Sequence, residues 1–164
     1  MSFSFPGFIG GSHYSNTGGG GEYICLPNKP KFDKYKDGYQ AGSYIYGTEY
    51  EVRGYNPFKN NLDDHDAPCA VCYVQSRATQ LMIPARNDCP SGWTEEYHGY
   101  LMADHYSHKH STSFICIDGE ADFVHGSHAS NNGALLYLVE ARCGSLPCLP
   151  YVEGRELTCA VCTK

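Results

Sequence analysis

Short apolar runs, separated by clusters of glycine, serine and asparagine, make up the hydrophobic pattern of this chain. Residues 43–52 alternate along the chain, as in a strand with one buried face. The side chains predicted on that face are Tyr44, Tyr46, Thr48, Tyr50 and Val52. Residues 134–139 are more continuously apolar, which is typical of a strand buried on both faces, and residues 80–85 form another strand-like run. Because no apolar stripe with a helical period reaches helical length, the pattern predicts a mostly β fold.

The same motifs occur twice along the chain, in the same order, at offsets between 90 (159 − 69) and 92 (105 − 13) residues. The matching segments are residues 7–15 with 99–107, 23–25 with 114–116, 43–49 with 134–140, and Cys69-Ala70-Val71-Cys72 with the identical Cys159-Ala160-Val161-Cys162. We predict a single domain over residues 1–164, with repeat halves at about 7–72 and 99–162 and a linking segment at 73–98. Neither half has enough strand to bury a core alone, so we expect strands to pair between halves related by a pseudo-twofold axis.

Composition and charge narrow the class of protein. The chain has 41% hydrophobic residues, enough for a folded core, and a net charge of −6. It lacks the basic stripe that a nucleic-acid-binding protein usually has, so we expect no nucleic-acid partner. No stretch is long and apolar enough to span a bilayer, so we expect no membrane insertion.

Nine cysteines predict a disulfide-bonded protein of an oxidising compartment, and therefore a secreted one. The two C-x2-C motifs could instead supply four thiolates to zinc, but they occupy equivalent places in the repeat and leave five cysteines unexplained. On a strand, Cys69 and Cys72 point to opposite faces and would have different partners. Three cysteines have no counterpart in the repeat: Cys89, Cys143 and Cys148. Because the number of cysteines is odd, we hypothesise that one of these three bonds a second chain.

The acidic run at residues 60–66 is the best candidate for a metal site. Calcium prefers six to eight oxygen ligands, and this run supplies several carboxylates and amide carbonyls within seven residues. The predicted ligands are Asp63, Asp64 and Asp66, with Asn60 and Asn61. The second half has Gly154-Arg155-Glu156 in the equivalent place, so the cluster departs from the repeat. The alternative is a solvated acidic loop without a metal.

Other candidate chemistry is weaker. His105, His108 and His110 suggest a transition-metal site, but on a strand His105 points away from the other two. The alternative is exposed or structurally bonded histidines, and a fold-determining hydrogen bond fits His105 and its repeat counterpart His13. Known nucleophile, metalloprotease and phosphate-loop motifs are missing from the sequence, so we predict a protein that is not an enzyme. Trp93, the only tryptophan, would stack on a ligand or pack in the core.

Eight strings spread over nearly the whole chain carry a resemblance to a known family. They are residues 34–38 (KYKDG), 64–72 (DHDAPCAVC), 81–86 (LMIPAR), 89–93 (CPSGW), 96–101 (EYHGYL), 105–109 (HYSHK), 132–137 (NGALLY) and 143–148 (CGSLPC). These strings resemble the non-collagenous domain of short-chain (spongin-like) collagens of sponges and other marine invertebrates. The chain has no Gly-X-Y tract, and as a stand-alone domain it is similar to the calcium-dependent, galactose-binding lectins of sea anemones.

That resemblance implies a Ca²⁺-dependent, non-catalytic lectin for terminal galactose or lactose-type sugars, acting as a homodimer that a disulfide could link. It does not reach individual ligands, so the five calcium ligands rest on the oxygen-cluster argument alone. We place His65 and Trp93 near the sugar. The main alternative is an extracellular-matrix assembly domain that binds other chains and no sugar, and a secreted metalloenzyme using the histidines is a further one.

Overall fold

The regular structure of the protein consists of strands. The computed structural model describes residues 2–164, with side chains from residue 5 onward. The strands are β1 (Ser2–Gly11), β2 (Ile24–Pro27), β3 (Tyr46–Tyr50), β4 (Pro68–Tyr73), β5 (Gln80–Pro84), β6 (Thr94–Ala103), β7 (Ile115–Asp118), β8 (Ala134–Leu138) and β9 (Thr158–Thr163). The predicted mostly β fold is therefore confirmed. No helix of a length and apolarity that would cross a membrane occurs among the described residues.

The strands form one sheet in the order β2-β1-β3-β8-β6-β9-β5, and β4 and β7 pair with β1 and β6 at its side. The central pair, β3 and β8, runs parallel, with Thr48 opposite Ala134. All the other strand pairs are antiparallel. Because β3 lies in the first half of the chain and β8 in the second, the predicted pairing of strands between the halves is present.

The long first strand of each half has the same neighbours. β1 pairs with β2 and with β4, while β6 pairs with β7 and with β9. Gly7 lies opposite Cys69, and Gly99 lies opposite Cys159. The register of each pair with the Cys-Ala-Val-Cys strand also shifts near its start, between Phe3 and Phe5 and between Glu95 and Tyr97. A pseudo-twofold axis relating the halves stays a prediction.

The chain contains four disulfides, as the cysteine content predicts. They are Cys25–Cys69, Cys89–Cys162, Cys116–Cys159 and Cys143–Cys148. The zinc alternative for the C-x2-C motifs is therefore wrong, because three of their four sulfurs are in disulfides.

The hypothesis that Cys89, Cys143 or Cys148 bonds a second chain is also wrong, because each has a partner within the chain. The turn that follows β5 brings Cys89 beside Cys162. Cys143 bonds to Cys148, with a sequence separation of 5. The free cysteine is Cys72, which is exposed. The unpaired thiol thus belongs to a repeated motif and not to the unmatched cysteines.

The hydrophobic core lies where the two halves meet. Leu62, Met102 and Leu136 are all fully buried within it. Of the side chains predicted on the buried face of residues 43–52, Thr48, Tyr50 and Val52 are buried, but Tyr44 is exposed and the strand covers only Tyr46–Tyr50. Glu49 is buried as well, so the alternation is not kept there, and its carboxylate accepts hydrogen bonds from the backbone amides of Asn131 and Asn132.

Replacing Gly99 by alanine should destabilise the fold by about 1–3 kcal/mol, because the new methyl group overpacks a strand pair. A Cβ there would lie 2.0 Å from the carbonyl oxygen of Ile117 and 2.4 Å from the nitrogen of Gly119, both of them backbone atoms. Gly47→Ala is the matched control, since a Cβ at that strand glycine meets nothing within 4 Å. Urea denaturation of both variants tests this, and equal changes would contradict it.

Candidate functional site

The acidic loop at residues 60–66 borders an open, polar groove of about 440 Å³. The groove is lined by Val52, Arg53, Gly54, Tyr55, Asn56, Asn61, Asp63, Asp64, His65 and His128. Four of the seven residues predicted for calcium or sugar binding are therefore brought together: Asn61, Asp63, Asp64 and His65. The groove combines carboxylates, amides, imidazoles and a phenol, which are groups that bind cations and sugar hydroxyls.

Backbone hydrogen bonds to β3 hold the acidic loop in place. The amide of Asp64 donates to the carbonyl of Tyr50 at 2.9 Å, and the amide of Tyr50 donates to the carbonyl of His65 at 3.0 Å. Asp64 adopts a left-handed backbone conformation with φ of 59°, which aspartate tolerates better than most residues. The fully buried side chain of Leu62 anchors the same loop in the core. The positions of the carboxylates are thus set by the sheet.

Three carboxylates converge beside the groove. Oxygens of Glu49, Glu51 and Asp64 lie within 4.8 Å of one another. The position of Glu49 is fixed by the loop before β8, because its carboxylate accepts hydrogen bonds from the backbone amides of Asn131 (2.6 Å) and Asn132 (3.1 Å). A cation between these oxygens would relieve their mutual repulsion.

Burial and the clustered carboxylates raise the pKa values of titratable groups at this site. Burial, followed by the charges of Asp64, Asp63 and Glu49, raises the pKa of Glu51. Burial and the Glu51 carboxylate likewise raise the pKa of Tyr137 to about 12, with smaller contributions from Asp104 and Asp63. Both pKa values are shifted in the direction expected for partly buried groups that are surrounded by more negative than positive charges.

Arg53 is the cation that the protein itself provides at this site. Its Nε lies 3.3 Å from Oδ2 of Asp63, and its Nη2 lies 3.0 Å from Oδ2 of Asp64. The arginine side chain is 78% exposed, and ion pairs of this kind contribute at most about 1 kcal/mol. A divalent cation that binds Asp64 therefore has only a weak internal competitor to displace.

The other predicted residues lie elsewhere. The Asn60 side chain donates to the carbonyl of Ala121 at 3.3 Å. The amide of Asp66 donates to Oγ of Ser127, burial raises the pKa of its carboxyl, and its side chain does not line the groove. Trp93 lies in the turn before β6, where its amide donates to the carbonyl of Pro90, and it does not line the groove either. The roles assigned to these three residues stay predictions.

The aromatic residue that the groove does contain is Tyr55, whose exposed fraction is 54%. His65 also borders the groove, with its ring 4.5 Å from that of Phe123 and 6.0 Å from that of His128. Sequence reasoning missed Tyr55, and also Glu49 and Glu51, because none of them lies in the acidic run. The alternation in residues 43–52 was the available signal, since Glu49 and Glu51 share the face opposite Tyr50.

The histidine run forms no second site of this kind. Nδ1 of His105 accepts a hydrogen bond from the amide of Ser107, and Nδ1 of His13 accepts one from Ser15 in the same way. His108 binds the Asp104 carboxylate at 2.6 Å, while His110 contacts the carbonyl of Asn16. Within the described residues, no group of three candidate metal ligands includes a histidine. The structural alternative for these histidines therefore fits best.

Replacing Glu51 by glutamine should raise the free energy of unfolding of the calcium-free protein at neutral pH. The amide keeps the shape of the side chain and removes a charge that burial and three carboxylates disfavour. Because the pKa of Glu51 is raised in the folded state, the wild-type protein loses stability as pH rises through that pKa. The gain should thus vanish at acidic pH, where the wild-type carboxyl is protonated.

Urea denaturation in the presence of a chelator, at neutral and at acidic pH, measures this difference. The control is Glu120→Gln, an exposed carboxylate outside the groove. A Glu51→Gln variant that is no more stable than wild type at neutral pH would contradict the expected repulsion.

Comparison with known proteins adds no further constraint. No family model matches the chain, and no solved structure matches its fold.

Proposed function

We propose that this protein is a secreted, calcium-dependent lectin that binds terminal galactose or lactose-type sugars and catalyses no reaction. The observation that carries the proposal is the convergence of Glu49, Glu51 and Asp64 beside a groove rich in polar groups. The sequence resemblance to marine-invertebrate galactose lectins gives the class of ligand. The four disulfides are consistent with an extracellular protein.

The residues present fit calcium better than a transition metal, because the cluster and the groove beside it offer mainly oxygen ligands. Glu51 and Asp64 would hold the ion, with Asp63 and the amide of Asn61 close by on the same groove. When bound, calcium supplies coordination sites that two adjacent sugar hydroxyls can occupy in place of water.

The sugar itself would lie in the groove. Carboxylate and amide groups that face the groove would accept and donate hydrogen bonds to sugar hydroxyls, and this fixes which stereoisomer binds. Tyr55 would contact the apolar face of the ring, which is the role that the sequence assigned to Trp93. His65, which lines the groove, would also lie beside the sugar. A homodimer would present two such sites, and this bivalency converts weak monosaccharide binding into agglutination.

Chromatography on immobilised galactose tests the proposal. We expect retention in calcium, elution by EDTA, and competition by galactose or lactose but not by glucose. Absence of retention both with and without calcium would overturn the lectin proposal and favour the matrix-assembly alternative. Retention that EDTA does not reverse would preserve sugar binding but remove the role of calcium.

A further inference from the structure

The loop between β2 and β3, residues 28–45, is exposed to solvent along its whole length. It presents a group of large apolar and aromatic side chains, namely Phe32 (80% exposed), Tyr35 (77%), Tyr39 (90%), Tyr44 (41%) and Ile45 (49%). A protein rarely leaves such side chains together at its surface unless they meet a ligand or another molecule. The loop is therefore a candidate interaction surface.

The same loop concentrates positive charge. Of the 12 lysines and arginines in the chain, four lie within eight residues of this loop, and they are Lys29, Lys31, Lys34 and Lys36. With Asp33 and Asp37 the loop has a formal charge of +2 (4 − 2), so the remaining residues carry −8 (−6 − 2). Among the described side chains, none of these four lysines forms an ion pair with a carboxylate. A basic loop on an acidic protein indicates an anionic partner.

The most apolar side chain of the loop has a repeat counterpart that packs in the fold. The repeat offset on both sides of the loop is 91 residues, and it relates Phe32 to Phe123 (123 − 32). Phe123 packs against the hydrophobic core, and its ring lies 4.5 Å from that of His65. Phe32 instead has the exposed ring of Tyr35 as its aromatic neighbour, at 6.4 Å. The exposure of this phenylalanine is therefore specific to the first half.

The charges of the two equivalent loops also differ. At the same offset, Lys29 and Lys31 correspond to Glu120 and Asp122. The second loop, residues 119–136, contains no lysine or arginine. The exposed aromatic residues and the lysines thus occur together in one copy and not in the other. This joint difference favours a binding role for the first loop over a role in folding.

An open groove of about 550 Å³ adjoins the start of the loop. Its lining is mainly apolar with two ammonium groups, and consists of Phe5, Pro6, Pro27, Asn28, Lys29 and Lys31. Such a surface suits a ring that has an apolar face and anionic substituents. A sulfated sugar is a ring of this kind, because its C–H face can contact aromatic and proline side chains while its sulfate oxygens accept hydrogen bonds from lysine.

We propose that the loop at residues 28–45 and the groove beside it bind a sulfated polysaccharide without calcium. Over residues 31–36 (KFDKYK), a lysine lies next to each aromatic residue, which suits a polymer of rings that carry anionic groups. Within the described part of the chain, the two grooves share no lining residue, so this site is separate from the one beside the acidic loop. It therefore does not rest on calcium or galactose binding.

An anionic lipid membrane is the other polyanion that lysines and aromatic residues could meet. The four disulfides are consistent with an extracellular protein. Anionic lipids, in contrast, are concentrated in the cytoplasmic leaflet of cell membranes. The sulfated polymer is thus the partner that the observations favour.

Affinity for heparin, measured in EDTA, tests the role of the charges. We expect the purified protein to bind heparin at low ionic strength and to dissociate as salt is added. The Lys31→Gln, Lys34→Gln double variant should bind about tenfold more weakly. The matched control is the Lys59→Gln, Lys109→Gln double variant, which removes the same charge from two exposed lysines outside the loop and should bind like wild type.

A second pair of variants tests the role of the aromatic residues. Phe32→Ala should weaken heparin binding several-fold and leave its salt dependence unchanged, because the lost contact is not ionic. Tyr106→Ala is the matched control, since Tyr106 is 94% exposed and lies outside the loop. All the replaced side chains are exposed, so circular dichroism should show an unchanged fold.

Four results would overturn the inference: no binding to heparin, equal weakening by the two lysine double variants, unchanged binding by Phe32→Ala, or binding in EDTA to phosphatidylserine vesicles but not to heparin. The last result would identify an anionic membrane as the partner. Failure here is distinguishable from failure of the lectin proposal, because the Lys31→Gln, Lys34→Gln variant should keep calcium-dependent retention on galactose. An Asp64→Asn variant should likewise keep its affinity for heparin.

Discussion

An Asp64→Asn variant should lose calcium-dependent retention on galactose while keeping its fold. Asp64 is the residue that belongs both to the carboxylate cluster and to the lining of the groove. Removing its charge takes away a calcium ligand and leaves an amide that binds the ion much more weakly. Asparagine also tolerates the left-handed backbone that Asp64 adopts, so the loop should keep its shape.

Two controls separate this effect from a general loss of surface charge. Asp88 forms an ion pair with Arg86 outside the groove, as Asp64 does with Arg53 within it, so Asp88→Asn should bind galactose like wild type. Asp66→Asn tests the ligand set predicted from sequence, and it should have a smaller effect than Asp64→Asn because Asp66 does not line the groove. Calcium titration by calorimetry and retention on immobilised galactose measure the three variants.

A folded Asp64→Asn protein that still binds calcium and galactose would show that the ion lies elsewhere. If Asp66→Asn were the variant that lost binding, the contiguous acidic run would be the ligand set, and the cluster with Glu49 and Glu51 would be incidental.

Much of the fold follows from local signals in the sequence. The continuously apolar run at residues 134–139 became β8, at the centre of the sheet, and the run at 80–85 became β5. Both outcomes depend on short-range features, namely side-chain period and flanking turns. The internal repeat did not give the disulfide pairing, but the structure reflects it, because Cys25–Cys69 and Cys116–Cys159 recur with separations of 44 and 43 residues.

The candidate site depended on contacts that no local pattern contains. Glu49 and Glu51 meet Asp64 only because the acidic loop folds back along β3 and exchanges backbone hydrogen bonds with Tyr50. A search for oxygen ligands within one loop therefore finds Asp64 and misses its partners across the strand. The sequence did not identify Cys72 as the free cysteine for a related reason. The pairing of Cys162 with Cys89 depends on the path of the linking segment, which no local pattern contains.

Removing the Cys116–Cys159 disulfide should be among the most destabilising changes in this chain. Its cysteines are 43 residues apart, and in the chain-entropy model a loop of that length corresponds to about 4 kcal/mol of stability. Cys159 is also fully buried, so truncation to alanine removes packing contacts in addition to the cross-link. The Cys116→Ala, Cys159→Ala double variant should therefore unfold at much lower urea concentration than wild type.

The matched control is the Cys143→Ala, Cys148→Ala double variant. Its disulfide spans a separation of only 5 residues, its cysteines are exposed, and the same model gives roughly 2 kcal/mol. Urea denaturation without reductant, with Cys72 left intact in both backgrounds, compares the two losses directly. If the two double variants lose the same free energy of unfolding, the stabilisation by the Cys116–Cys159 disulfide does not come from chain entropy. A long-loop variant as stable as wild type would mean that the strands β6, β7 and β9 hold together through hydrogen bonding and packing alone.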